Sequence, residues 1–278
     1  MKHNIIRILR KVITYMILTM GSILVLVPII WIVLASFSSG DSLYSSTSLL
    51  QNPSLSHYKD LFQNTDFGLW YLNTLKIAAA NMVLSVILTM GSAYVFSRFR
   101  FPGRKAALSS IMILQMFPSV MSMVAVYILL KTLGLIDTHL GLVLVYAGGQ
   151  IPYNTWLVKG YLDSIPRSMD EAAKIDGASN LKIFVKIMMP IAQPIVTYVA
   201  LTNFIMPWMD FIFPQLVLRS AEKKTLAMAL YSLVAGQQNT EFTTFAAGAV
   251  LVVVPITVMF IFLQKYIVEG LSAGSSKC

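Results

Sequence analysis

Long apolar runs, separated by shorter polar segments, dominate the pattern of the chain. They cover residues 12–37, 77–97, 106–130, 140–158, 191–218 and 245–263. Most approach the roughly 20 residues that a helix needs to cross the hydrocarbon core of a bilayer. The first run is too long for the apolar core of a signal peptide. The pattern therefore predicts an all-α membrane protein with six transmembrane helices, the first of them kinked at Pro28.

The distribution of Lys and Arg residues predicts which side of the membrane each segment faces. If all six runs cross the membrane, the two termini lie on the same side of it as residues 98–105 and 159–190. Fifteen Lys and Arg residues then lie on that side and five on the other. Basic residues accumulate in cytoplasmic loops. Both termini are therefore predicted to be cytoplasmic.

This topology divides the chain into parts with different roles. Residues 1–37 form an N-terminal cytoplasmic segment and the first transmembrane helix, and residues 38–73 an extracytoplasmic loop. The remainder comprises a core of five helices over residues 74–266 and a cytoplasmic tail over residues 267–278. The core carries a cytoplasmic loop, residues 159–190, and an extracytoplasmic loop, residues 219–244. An apolar piece of the second loop, residues 226–234, is too short to span and predicts a short helix at the outer surface.

The composition excludes several classes of protein. Hydrophobic residues make up 56% of the chain and charged residues 12%, against about 25% charged residues in soluble domains. The net charge of +9 comes from clusters beside the apolar runs, so the expected partner is the lipid membrane and not a nucleic acid. Cys278 is the only cysteine and the three histidines are scattered. Neither a disulfide framework nor a metal site is expected.

The polar loop between the fourth and fifth runs has strong local signals. Ser168 and Glu171 have the spacing of a capping box. With Ser168 as the N-cap, the helix is predicted to start at Met169. Gly177 is suited to end this helix, because it accepts a left-handed backbone. A second short helix is predicted after Ser179, to be ended or bent by two prolines, Pro190 and Pro194. Its apolar face is predicted to comprise Leu181, Phe184, Ile187 and Met188.

The residues of this loop resemble the EAA motif of ABC importer permeases. The matching positions are Glu171-Ala172-Ala173, Asp176-Gly177-Ala178 and the Ile187-Met188-Met189-Pro190 segment. Residues 52–62 and 264–274 resemble segments of the carbohydrate branch of these permeases, the MalG type. Ser272 replaces the usual Thr in the second segment, and residues 275–278 depart from the usual ending of the family.

The resemblance implies a type I ABC importer permease fold in a bacterial inner membrane. It also implies three kinds of protein partner: a MalF-like second permease, two cytoplasmic ATPase subunits and an extracytoplasmic sugar-binding protein. The residues expected to couple the chain to the ATPase are Glu171, Ala172, Ala173, Asp176, Gly177 and Ala178, with Ala172 and Ala173 exposed for docking. Further ATPase contacts are expected at Glu269, Gly270, Leu271 and Gly274, and binding-protein contacts at Gly236, Gln237, Gln238 and Asn239.

The chemistry available to the chain favours a transport subunit over an enzyme. No phosphate-binding glycine loop, nucleophile elbow or pair of intramembrane carboxylates occurs in the sequence. ATP hydrolysis is therefore assigned to a partner, and no cofactor is expected. The resemblance favours maltose or maltodextrin as substrate, with another oligosaccharide or glycerol phosphate as the alternative. A secondary transporter would need inverted repeats and ionisable residues near the midplane.

Three polar residues within the apolar runs are candidates for function. Asp210 is acidic, and such residues are functional by default. It lies about 28 Å along a helix from Ile191, near the outer interface, which favours a structural role. Gln115 and Gln150 are neutral amides, which are costly in hydrocarbon. Either they line a translocation path, together with nearby methionine and aromatic residues, or they join helices.

Overall fold

The computed structural model describes residues 2–40, 53–235 and 241–275, and within these ranges the regular structure is helical. Thirteen α-helical segments follow one another, interrupted by a π-helical turn, Phe184–Met188, and a 3₁₀ turn, Ala221–Lys223. The segments are α1 Lys2–Ser36, α2 Ser56–Asn64, α3 Phe67–Arg98, α4 Arg104–Leu114, α5 Ser119–Thr132, α6 His139–Asp163, α7 Ser168–Ile175, α8 Asn180–Ile183, α9 Met189–Ile191, α10 Gln193–Met209, α11 Ile212–Val217, α12 Leu226–Val234 and α13 Phe242–Ser275.

Three of the described helices are long and apolar enough to cross a membrane, within Ile6–Ser36, Phe67–Arg98 and Phe242–Tyr266. A fourth span is formed if Asn180–Ile191 and Gln193–Met209 are counted together, although they meet at 81°. The structure therefore confirms an all-helical protein with apolar spans, but it does not confirm the count of six.

The third and fourth apolar runs account for this difference. The third run is divided between α4 and α5. The division falls at Pro118, which has no backbone N–H to continue the helix. The fourth run lies within α6, which has 25 residues but includes polar ones such as Gln150, Asn154 and Thr155. The second run is longer than expected, because α3 begins at Phe67.

The chain separates into two compact units, and the larger one comprises Phe67–Ala229 and Val254–Cys278. In this unit α3, α6 and α10 pack side by side, with one apolar cluster toward the α7 loop and another toward α11. A polar contact joins α3 to α10, where the Asn81 amide donates to the carbonyl oxygen of Asn203 at 2.7 Å. Both asparagines are buried, so the contact satisfies polar groups that hydrocarbon would leave unpaired.

In the same unit, Asp137 joins the connection between α5 and α6 to the segment after α11. Its carboxylate accepts hydrogen bonds from the backbone N–H groups of Arg219 at 2.9 Å and Ser220 at 3.1 Å, and pairs with Lys223 at 3.2 Å. The Ser220 hydroxyl also donates to it. These hydrogen bonds, the Ser220 hydroxyl first, hold the pKa of Asp137 well below its usual value. Asp137 therefore fixes the start of the predicted extracytoplasmic loop 219–244.

The smaller unit comprises Met1–Asp66 and Leu230–Val253. In it the short helix α2 buries Leu61 and His57, and the His57 ring is hydrogen-bonded to the Thr244 hydroxyl at 3.2 Å. The Tyr58 hydroxyl contacts the Ser36 hydroxyl at 2.8 Å. The described residues of the predicted loop 38–73 therefore include a packed helix. The short apolar helix expected over residues 226–234 is present as α12.

Candidate coupling site

Helix α7 carries the first half of the motif, and its start differs from the expectation. It begins at Ser168, with Arg167 as the N-cap residue and without a side-chain cap. The backbone carbonyls of Pro166 and Arg167 accept from the N–H groups of Met169 and Glu171 at 3.3 and 3.0 Å. Because these carbonyls take the first helical hydrogen bonds, Ser168 lies inside the helix and the predicted capping box is wrong.

The end of α7 agrees with the prediction at Gly177. This residue has φ of +76°, which L-residues with a Cβ disfavour by about 1–2 kcal/mol. Its N–H donates to the Lys174 carbonyl at 3.0 Å, and the Ala178 N–H donates to the Ala173 carbonyl at 2.9 Å. This pair of bonds is a Schellman motif. It reverses the chain directly into α8.

The second half of the loop begins as predicted, and its buried face agrees with the prediction except at Leu181. The Ser179 hydroxyl accepts from the Lys182 N–H and caps α8. A π-helical turn over Phe184–Met188 then lengthens the repeat. As a result Ile183 and Met188, five residues apart, are both buried. Phe184 and Ile187 pack against the same cluster as predicted, whereas Leu181 is 70% exposed.

The two prolines act where the sequence suggests. α9, which contains Pro190, ends at Ile191, and α10, which contains Pro194, starts at Gln193. Between them the helix axis turns by 81°. The loop therefore passes into α10 through a sharp bend that contains no flexible linker.

A buried ion pair attaches α7 to the rest of its unit. Arg98, the last residue of α3, places its Nε atom 2.7 Å from the Asp170 carboxylate, and the two side chains are 7% and 10% exposed. The Arg98 guanidinium also donates to the carbonyl oxygens of Leu162 at 2.9 Å and Ile165 at 3.1 Å. One cation thus joins the ends of α3 and α6 to α7.

Further contacts strengthen this attachment. The Arg167 guanidinium donates to the Ser97 carbonyl at 3.1 Å, and the Ser97 hydroxyl donates to the Asp163 carboxylate at 2.7 Å. Tyr94 packs against Phe184, with ring centroids 4.9 Å apart. Helices α3, α6, α7 and α8 therefore meet in one packed junction. Sequence reasoning assigned Arg98 only to a basic turn. The missed signal is Asp170, a charge on the inward side of α7 that requires a cation.

The six motif residues are divided between two faces of the loop. Ala173 is buried in the apolar cluster with Leu162 and Ile183, so the expectation that it is exposed for docking is wrong. Glu171, Ala172, Asp176 and Gly177 are exposed, and Ala178 is half-buried. Ile175 is 87% exposed, and it extends this outer face with an apolar side chain. The exposed residues Glu171, Ala172 and Ile175 of α7 are called the coupling face.

Asp210 has a structural environment. Its carboxylate accepts from the Tyr146 hydroxyl at 2.9 Å and from the backbone N–H groups of Ile212 and Phe213 at 3.0 and 3.3 Å. It therefore joins α6 to α10 and supports the first turn of α11. These contacts agree with the structural interpretation of this acidic residue.

Two groups of expected site residues remain predictions. Glu269, Gly270, Leu271 and Gly274 lie on the continuous helix α13, which extends to Ser275. The segment of Gly236, Gln237, Gln238 and Asn239 lies outside the described residues.

Comparison with known proteins gives consistent matches over most of the chain. Residues 85–272 match the family described as binding-protein-dependent transport system inner membrane component. The galactooligosaccharides transport system permease protein GanQ of Bacillus subtilis is 42% identical, over 98% of this chain and 97% of its own. The maltodextrin transport system permease protein MdxG of the same organism is 41% identical over the full length of both. A chain of a bacterial ABC transporter that imports the acidic polysaccharide alginate has a TM-score of 0.79 at 26% identity, covering 92% of this chain and 95% of its own.

Proposed function

The chain belongs to the family of binding-protein-dependent transport system inner membrane components, and we propose that it is the permease subunit of an ATP-driven importer of maltodextrins. It is a multi-pass protein of a bacterial inner membrane. As a permease it is a transport component, and the proposed source of energy is a partner ATPase. One observation carries the proposal. Helix α7 exposes the coupling face, and the Arg98–Asp170 ion pair attaches this helix to the spans.

The coupling face has the properties that docking to a moving partner requires. Ala172 is small, Ile175 offers apolar surface, and Glu171 offers a charge to a basic residue of the ATPase. On the opposite side of α7, Asp170 and Ala173 are held by the chain itself. A push or pull on α7 is therefore transmitted to α3 and α6 as a rigid-body movement, which gives coupling a continuous physical route.

The proposed topology has six crossings with both termini in the cytoplasm. In it α4 and α5 together form the third crossing, which is broken near Pro118, α6 forms the fourth, and α10 forms the fifth. The segment Asn180–Ile191, before the sharp bend, belongs to the cytoplasmic loop. Backbone that is not helical is tolerated at membrane depth only where protein or a water-filled cavity covers it. The distribution of fifteen basic residues against five supports this orientation.

The partners follow from the family and from the proposed topology. A second permease completes the translocation path, and two ATPase subunits bind the coupling face and the tail residues Glu269, Gly270, Leu271 and Gly274. An extracytoplasmic binding protein delivers the sugar to the side that carries Gly236, Gln237, Gln238 and Asn239. The Asp137 contacts hold the start of that loop against the connection between α5 and α6.

Two substrates are supported by similarity over the whole chain. MdxG, at 41% identity, is named for maltodextrin, and GanQ, at 42%, for galactooligosaccharides. Maltodextrin is the proposed substrate and galactooligosaccharide the second candidate.

The test is sugar uptake by proteoliposomes that contain the purified permease pair, ATPase and binding protein. ATP-dependent uptake of labelled maltotriose, with weaker uptake of a galactose trisaccharide, is expected. The reverse preference would favour the second candidate. Absence of ATP-dependent uptake of any oligosaccharide would refute the proposal.

A further inference from the structure

The middle of the larger unit carries uncharged polar side chains that take no part in the proposed coupling to the ATPase. We propose that Gln115, Gln150, Tyr153 and Tyr198, the central polar stripe, contact the transported sugar directly and favour an uncharged oligosaccharide. The inference rests on the proposed function, because it names the surface of this chain that meets the substrate of that importer.

Contacts between α6 and α10 fix the level of the stripe. Near one end of the helix pair, the Tyr146 hydroxyl donates to Asp210 at 2.9 Å. Toward the other end, the Tyr161 hydroxyl donates to the Ile191 carbonyl at 3.4 Å. Gln150 lies between these contacts. It is about 16 Å along the helix from the start of α6, which is close to half the thickness of the hydrocarbon core.

Gln115 lies at the same level on the neighbouring crossing. Its side-chain amide donates to the Gly149 carbonyl oxygen at 2.9 Å, beside Gln150. Gln115 directly follows α4, at the break before Pro118. A Cβ atom added at Gly149 would meet no atom within 4 Å. The two glutamines therefore border open space where the helix is interrupted.

The stripe has unused capacity for hydrogen bonding. A glutamine amide offers two donors and one acceptor. Among the described residues, Gln115 donates only to Gly149 and Gln150 only to the Met206 sulfur, a weak acceptor. Tyr153 and Tyr198 lie near each other and are 44% and 37% exposed.

A sugar matches these groups better than lipid does. Lipid chains leave unpaired polar groups unsatisfied at a high cost, so such groups face protein or a water-filled cavity. The hydroxyl groups of a sugar both donate and accept, and ligand sites combine aromatic walls with a few polar groups. The tyrosine rings and the two amides together offer this combination.

The surroundings of the stripe carry no positive charge, which bears on the class of sugar. The nearby charged group is the Asp210 carboxylate, which the Tyr146 hydroxyl contacts one helical turn from Gln150. No Asp, Glu, Lys or Arg occurs in residues 106–130, 140–158 or 193–209. An anionic substrate would lose its water here without gaining a positive counter-charge, and that desolvation is unfavourable. The stripe therefore favours neutral sugars over uronates or phosphate esters.

The first test is protection from a water-soluble thiol reagent in the complete, reconstituted transporter. Cysteine is introduced at Tyr153 or Tyr198 in a Cys278→Ser background, with Tyr15→Cys on the exposed surface of α1 as the control. Maltotriose with binding protein and ATP is expected to slow labelling of both stripe positions several-fold and to leave the control unchanged. Equal labelling with and without sugar would overturn the inference.

The second test uses Gln150→Leu and Tyr198→Phe, with Tyr15→Phe as the matched control. Both stripe variants are expected to assemble with the second permease and the ATPase, and to transport fewer maltotriose molecules per ATP hydrolysed. If the variants lose the second permease on purification, the second permease and not the sugar contacts the stripe. That result would overturn the inference. Normal transport by both variants would overturn it as well, while uptake by the unmodified complex would still support the proposed function.

Discussion

At the scale of single residues, Arg98 contributes most to holding the loop against the spans. Its guanidinium pairs with the Asp170 carboxylate and donates to two backbone carbonyls at once, in a nearly solvent-free position. A lysine has no planar group able to reach several acceptors in this way. The position of the coupling face is therefore determined by a side chain outside the motif.

Replacing Asp170 with Ala should destabilise the chain strongly. The substitution leaves a buried, unpaired guanidinium, and breaking such a pair costs about 3–5 kcal/mol. The measurement is thermal unfolding of the purified permease pair in detergent. Lys159→Ala is the control, because its pair with Asp163 is partly exposed and such pairs contribute about 0–1 kcal/mol. Equal losses for both variants would contradict the role given to Arg98 and Asp170.

Gly177 should tolerate Asn better than Val. Its φ of +76° is accessible to Asn but strained for a β-branched residue. We expect Gly177→Val to remain in the membrane with its partner permease, but to lose most of the ATPase on purification. Gly177→Asn should retain the ATPase. Normal ATPase binding and sugar uptake by the Val variant would show that the turn is not part of the docking geometry.

At the scale of elements, α7 has one face buried against the rest of the chain and one exposed face. Ala172 and Ala173 are adjacent in sequence, but only Ala173 lies in the apolar cluster. We expect Ala172→Asp to accumulate normally and to release the ATPase, because the charge appears on the coupling face. Ala173→Asp should instead lower accumulation, because it buries a carboxylate without a partner. The measurements are membrane levels and ATPase co-purification from the same membranes, and the opposite pattern would reverse the two faces.

The parts of this loop that the sequence predicts correctly are those determined locally. Gly177 ends α7, and Ser179 caps α8, because each needs only its own backbone neighbours. The parts that it does not predict depend on packing. The Arg98–Asp170 pair and the burial of Ala173 join residues that are distant in the chain.

The apolar pattern was likewise informative about helices but not about their continuity. It indicates where the chain is apolar, and long helices occupy the first, second and sixth runs. It does not show that the third run divides near Pro118 or that the fifth begins with a sharp bend. Such breaks depend on where neighbouring helices satisfy the exposed backbone.

At the scale of the whole molecule, the proposed topology gives each polar segment a side of the membrane. In a Cys278→Ser background, cysteines at Lys131 and Glu241 should react with an impermeant thiol reagent added outside intact cells. Cysteines at Lys105 and Lys182 should react only after permeabilisation. All four native side chains are exposed, so access is not limited by packing. The reverse pattern would overturn the orientation derived from the basic residues.

The central claim is that the coupling face moves the spans because α7 is attached to them through Arg98. Arg98→Lys tests it most directly, since it keeps the charge beside Asp170 and removes the fork that reaches Leu162 and Ile165. The measurement is the number of maltotriose molecules imported per ATP hydrolysed in proteoliposomes of the complete transporter. The account predicts that the ATPase stays bound and hydrolyses ATP while this ratio falls well below that of the unmodified complex. An intact complex with an unchanged ratio would contradict it.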